Sequence, residues 1–305
     1  MSAAFPWIFS PRYTVDIGAH TFPTAKFQRA AEILCSQGGL RAADRVEPEM
    51  PSPEALCRVH TPEWVRRAGV GELTLEDETL LEMPWSKALM EAHALAAGGT
   101  LAAARLALEN GLGIHVGGGA HHAFADHGEG FCMFNDLAFA IETLRLEKRL
   151  ARAAVVDLDA HQGNGTASIF KAAPDVFTFS MHQREGYPGR REAGTMDVDL
   201  PAGIRDRDYL DLLARRLPAV LDGHEPKLVV YQAGVDVYER DLLGSLKLTA
   251  EGIAARDRFV FEACESRRIP IVVTFGGGYA PDVQETAALH ARTVQEALAV
   301  YKILE

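Results

Sequence analysis

Five short apolar runs rich in β-branched residues recur along the chain, at 112–116, 153–158, 176–180, 227–232 and 269–275. Each is too short for a helix and apolar at successive positions, which is the pattern of a strand buried on both faces of a parallel sheet. Between them lie stretches of helical period. Residues 85–109 carry Leu89, His93, Ala96 and Leu101 at helical spacing and stop at Asn110-Gly111, a C-cap signal. Residues 135–150 and 206–221 read similarly, and 249–268 opens on a capping threonine and closes on a basic turn that suits the helix dipole. Strand and helix in alternation predict an α/β sheet with helices on both faces. No Ser/Gly linker, composition break or internal repeat divides the chain, so residues 1–305 read as a single domain.

Ligands of open α/β sheets sit beyond the carboxyl ends of the strands. Four of the five runs end there in reactive or flexible groups: Gly117-Gly-Gly119 with His121-His122, then Asp159 and His161, then Asp236, then Gly276-Gly-Gly278 with Tyr279. Alternation in an extended segment turns Asp157, Asp159 and His161 to one side. Asp159 and His161, with Asp236 from another strand end, have the composition of a three-ligand catalytic metal site that keeps a position open. Buried ion pairs or solvated carboxylates are the plainer reading of the same residues. Adjacent imidazoles at 121 and 122 suit acid/base work, and Tyr279 on its glycine turn suits an oxyanion donor. His115, inside its run, and His127, in a polar loop, read as structural.

Other classes are excluded by what is missing. Neither glycine triplet fits a dinucleotide or P-loop pattern, and no G-x-S-x-G elbow exists. Cys132 lies in apolar Phe131-Cys-Met-Phe134 and reads as a small buried residue. The four cysteines are far apart, which fits neither a disulfide framework nor a zinc finger and points to a reducing, cytoplasmic setting. The apolar start lacks a basic n-region, and no run of about 18 apolar residues spans a membrane. With 31 Lys+Arg against 42 Asp+Glu, the net charge of −11 argues against direct nucleic-acid binding.

Together these segments resemble the histone deacetylase family. The matching motifs are Gly117-Gly-Gly-Ala-His-His122, Gly130-Phe-Cys-Met-Phe-Asn-Asp136, Asp157-Leu-Asp-Ala-His-Gln-Gly-Asn-Gly165, Gln232-Ala-Gly-Val-Asp236, Asp241-Leu-Leu-Gly244 and Gly276-Gly-Gly-Tyr279, with His20-Thr-Phe-Pro23 and His60-Thr-Pro-Glu63 nearer the start. Asp-Ala-His-Gln-Gly-Asn-Gly and Gly186-Tyr-Pro-Gly189 look like the class IV branch and its bacterial relatives. The resemblance implies the arginase/deacetylase fold, a parallel sheet of about eight strands flanked by helices on both faces. It implies one zinc on Asp159, His161 and Asp236, with His122 as base, His121 paired with Asp157, and Tyr279 at the oxyanion. It further implies a structural potassium near Asp157, Asp159, His161, Ser180 and Met181, and a channel walled by Gly130, Phe131, Tyr187, Gly277 and Gly278.

The substrate implied is an acyl-lysine peptide or protein, carrying acetyl or a long-chain fatty acyl group, or else a small acylated amine such as an acetylpolyamine. A monomer, or at most a weak dimer, is expected. One departure stands out: Asn164 replaces the aspartate that most deacetylases place behind the second histidine. On that reading Asn164→Asp raises the pKa of His122. A two-manganese ureohydrolase shares the fold, but Gly163, Val237 and Tyr238 stand where its second metal needs carboxylates. An idle acyl-lysine binding protein is the rival from another class.

Overall fold

The computed structural model describes residues 5–37 and 39–303. Its strands are β1 (Trp7–Ile8), β2 (Arg45–Val46), β3 (Leu112–Ile114), β4 (Ala153–Asp157), β5 (Val176–Gln183), β6 (Met196–Leu200), β7 (Val229–Gln232) and β8 (Ile271–Thr274). Its helices are α1 (Ala25–Ser36), α2 (Pro53–Leu56), α3 (Pro62–Val70), α4 (Leu75–Leu81), α5 (Lys87–Asn110), α6 (Asp136–Leu146), α7 (Asn164–Phe170), α8 (Asp206–His224), α9 (Ala250–Glu265) and α10 (Val283–Val300).

Six strands form one parallel sheet in the order β3-β8-β7-β4-β5-β6, and β1 and β2 form a second parallel pair. A single bridge between Ile8 and His115, with Val116 N–H donating to Ile8 C=O at 2.8 Å, aligns the pair with the β3 edge. The eight strands of the expected fold are therefore present as six plus two. All five apolar runs are strands. β6 was not expected, because it alternates Asp197 and Asp199 with partly buried Met196 and Val198 at the sheet edge and so lacks an apolar run.

Local chemistry sets the helix ends. Ser86 caps α5 by accepting from Leu89 N–H, and Gly111 closes it in the left-handed region at φ 85°. Thr249 caps α9 through Gly252 N–H, although that helix ends at Glu265 and leaves the expected basic turn just beyond it. One core layer packs α1, α8, α9 and α10 on one face of the sheet, and the other packs α3, α5 and α6 on the opposite face. No helix among the described residues is long and apolar enough to cross a membrane.

Topology locates the site. From β4 the chain moves outward to β5 and β6, whereas from β7 it moves the other way to β8. Strand order reverses between β4 and β7, and a crevice opens at such a point beyond the carboxyl ends.

Candidate active site

At this reversal β4 runs out into Asp159 and His161, and β7 into Asp236. Ligand atoms of the three lie within 4.8 Å of one another, and all three residues are buried. His161 Nδ1 stands 2.9 Å from Asp236 Oδ2 and 3.2 Å from Asp159 Oδ1. Burial, reinforced by Asp159, pushes the Asp236 carboxyl up to about 7. Burial alone would lower the His161 pKa, but Asp236 and Asp159 hold it well above the ordinary range. Two buried carboxylates around one imidazole are a donor set for a hard or borderline divalent cation, and zinc fits it. Gly277 closes this corner: its N–H donates to Asp159 Oδ2 at 2.8 Å, and a Cβ there would strike the carboxylates of Asp236 and Asp159.

The histidine pair stands beside that cluster, with ring centroids 4.0 Å apart. His121 Nδ1 donates to Asp157 Oδ2 at 2.7 Å, and His122 Nδ1 donates to Asn164 Oδ1 at 2.8 Å. The unlike partners drive the rings apart in charge. For His121 burial is overcome by Asp157 and Asp159, which raise it to about 9. For His122 burial and the neighbouring charges of His121 and His161 hold it well below the ordinary value. His121 is thus pushed towards its protonated form and His122 towards its neutral form near pH 7.

The loop bearing the pair is fixed from behind. Asp136, at the start of α6, accepts from Gly119 N–H at 2.9 Å and Ala120 N–H at 2.6 Å. Gly119 sits at φ 97°, a conformation that favours glycine. Tyr279 is held on the opposite side by its backbone N–H, which donates to Asp241 Oδ2 at 2.7 Å. A cavity of about 650 Å³, its mouth included, joins His121, His122, Gly130, Phe131, Gly277 and Tyr279. Gly130 and Phe131 both lie at positive φ, 52° and 66°, so the backbone at this wall is strained. Tyr187 faces His122 and His161 with ring centroids 4.9 and 5.9 Å away. Gly278 leaves room for its neighbours, since a Cβ on it would meet Val235 and Thr286. Asp157 pairs in register with Ser180, which precedes Met181, and the Ser180 hydroxyl lies 2.8 Å from His182 Nδ1.

Several contributors were not picked out from sequence. Phe22 packs against Phe131 and Tyr279 at 5.7 and 6.4 Å between centroids, although its His20-Thr-Phe-Pro23 segment was noticed. Lys26, fully buried, donates to Gly276 C=O at 2.7 Å and lies over the rings of Phe22, Phe27 and Tyr279; burial lowers its pKa to about 8. Arg256 of α9 donates through Nη1 to Leu158 C=O at 3.0 Å and Gly234 C=O at 2.7 Å, tying together the two strand ends that carry the carboxylates. His115 is structural as expected, bonded to Tyr13 and Thr100. His127 is less detached than expected, since its Nε2 lies 3.6 Å from Glu129. Cys132 is buried, and burial pushes its thiol pKa up, which makes it unreactive.

Comparison with known proteins agrees with this geometry. The histone deacetylase domain matches residues 20–295. The chain belongs to the histone deacetylase family. Histone deacetylase 2 of Arabidopsis thaliana is 34% identical over 89% of this chain and 74% of its own length. An uncharacterized protein of Picosynechococcus sp. is 38% identical over 97% of this chain and 99% of its own. The crystal structure of the HDA15 HD domain superimposes with a TM-score of 0.76 at 22% identity, over 97% of this deacetylase-family chain and 93% of the other, which shows the shared fold.

Proposed function

We propose that residues 1–305 act as one catalytic domain, a zinc-dependent deacylase that hydrolyses the side-chain amide of acylated lysine. The observation that carries this reading is the split histidine pair beside a buried Asp159-His161-Asp236 cluster, opposite Tyr279. Zinc bound there supplies a Lewis acid that lowers the pKa of water toward about 7 and polarises a carbonyl. The neutral imidazole of His122 takes the proton of the attacking water and passes it to the leaving amine. His121, kept protonated by Asp157, favours the negative charge that develops on the carbonyl oxygen. The Tyr279 hydroxyl donates to that oxygen. Gly130, Phe131 and Tyr187 wall the channel for the lysine stem. Asp157, Asp159, His161, Ser180 and Met181 would hold a potassium ion that braces the β4 and β5 ends.

Acyl groups longer than acetyl are favoured by apolar side chains in the same cavity: Phe27 of α1 and Leu89, Ala92 and Ala96 of α5 also line it. Each buried CH₂ there contributes about 0.8 kcal/mol. The test is turnover of acetyl-, octanoyl- and myristoyl-lysine peptides, of an acetylpolyamine and of arginine as a guanidine substrate, by chelated protein reloaded with zinc or manganese. One zinc per chain with the octanoyl or myristoyl peptide hydrolysed fastest supports the reading. Fastest turnover of the acetylpolyamine would replace it with a small-amine deacetylase, urea release with two manganese would make the chain a ureohydrolase, and binding without hydrolysis would leave a reader of acyl-lysine.

A further inference from the structure

Glu129 is a buried carboxylate in the loop between the histidine pair and Phe131, and no step above uses it. Its backbone is pinned by a reciprocal pair of bonds with Cys132, at 3.0 and 2.9 Å. Its Oε1 accepts from Asn164 Nδ2 at 2.8 Å and from the Tyr187 hydroxyl at 3.2 Å, while His127 Nε2 approaches Oε2 at 3.6 Å. The second Asn164 amide hydrogen goes to Arg190 C=O at 3.1 Å.

These contacts matter because an amide is nearly symmetric in shape and opposite in polarity at its two ends. Were the NH₂ end turned to His122, the imidazole Nδ1 would have to accept and its proton would sit on Nε2. A ring in that tautomer has no lone pair free for a proton from water. Glu129 Oε1 accepts from Asn164 Nδ2, so it holds the NH₂ end on its own side and leaves Oδ1 for His122 Nδ1. The tautomer with the proton on Nδ1 and a bare Nε2 follows. Where an aspartate would fix this tautomer by itself, an asparagine needs a second group to fix its own orientation.

We propose that Glu129 is a positioning residue: through Asn164 it sets the His122 tautomer that serves as base, and through the same oxygen it fixes Tyr187 at the channel wall. The catalytic part rests on the proposed deacylase activity; the tautomer does not. The test compares Glu129→Gln, which keeps an acceptor oxygen, with Glu129→Leu, which removes it. Histidine ring ¹⁵N spectra, recorded on zinc-loaded and metal-free protein, should show His122 as the Nδ1–H form in the parent and in Glu129→Gln, with Nε2–H appearing in Glu129→Leu. In zinc-loaded protein kcat should fall roughly 10- to 100-fold in Glu129→Leu, part of what a general base supplies, and stay within about threefold in Glu129→Gln, since the acceptor is retained. Should Glu129→Leu fail to fold, Glu129→Ala carries the same comparison. An unchanged tautomer in the acceptor-free variant, or equal losses of kcat in both variants, overturns the proposal. A parent protein without deacylase activity would refute the functional reading instead and leave the spectra to decide the tautomer.

Discussion

From sequence, replacing Asn164 by aspartate is a direct way to make His122 more basic, and the contacts of Asn164 predict a much smaller effect. The new carboxylate would have one oxygen on His122 Nδ1 and the other where Asn164 Nδ2 now lies, 2.8 Å from Glu129 Oε1. Two unit charges at that separation repel by about 6 kcal/mol at an effective dielectric of about 20, or about four pKa units. Two carboxylates at that separation do not both stay ionised, so the pair holds one proton between them near neutrality. That proton sits where the amide hydrogen was, so the variant presents His122 with much the same neutral acceptor as before. The base must be neutral to act, so activity rises as pH climbs through the His122 pKa. That pKa is held well below its ordinary value, first by burial and then by the neighbouring charge of His121. Asn164→Asp alone should leave the acidic limb of kcat/KM within about 0.5 unit of the parent, whereas Asn164→Asp with Glu129→Gln should move it up by roughly 1–3 units. The assay is a kcat/KM profile between about pH 5 and about pH 9 with one acyl-lysine peptide and saturating zinc. A shift of a full unit or more in the single variant would refute the carboxyl-pair argument.

Other outcomes follow from single contacts. Tyr279→Phe should lower kcat by about 10²–10³ with little change in thermal stability, because the ring keeps Phe22 and Phe131 and the backbone keeps Asp241; near-normal turnover would remove the hydroxyl from the reaction. Arg256→Met leaves Asp257 buried without its cation and should cost about 3–5 kcal/mol in urea unfolding, as broken buried pairs do, together with faster zinc loss to a chelator. A cost under about 1 kcal/mol would show the clamp to be dispensable.

Sequence revealed those parts of the site that are written in local periodicity. Short, predominantly apolar runs marked the buried strands, and the rule for strand ends then singled out Asp159, His161 and Asp236, the last of them 75 positions from His161 and 2.9 Å away. Contributions defined only by tertiary contact left no such trace. Glu129 looks like one charge in a solvated loop until its Asn164 contact, 35 positions on, is seen. Arg256 looks like an exposed helix residue, yet it is wholly buried and spans two strand ends. Lys26 and Phe22 belong to the start of the chain and reach the site only because α1 packs on α10 beside the glycine turn. β1 and β2, two residues each, are too short for any periodicity to show.

Counter-charges explain why a divalent cation would fit the Asp159-His161-Asp236 cluster. Six carboxylates are buried at this end of the sheet: Glu129, Asp136, Asp157, Asp159, Asp236 and Asp241. Four have fixed partners. Asp136 takes two backbone N–H groups and the Thr100 hydroxyl, Asp157 has His121, Asp241 takes the N–H groups of Leu243, Gly244 and Tyr279, and Glu129 has Asn164 and Tyr187. Asp159 and Asp236 accept backbone N–H groups from His161, Gly277 and Ala160 but otherwise share one imidazole. Hydrogen bonds from neutral donors reduce the cost of burying charge without cancelling it. Without a cation this cluster favours taking up protons, the direction in which burial and Asp159 push Asp236, and in which Asp236 and Asp159 push His161. A divalent ion removes the need for both protons, so its uptake must release them, and affinity there must rise steeply as pH approaches 7 from below.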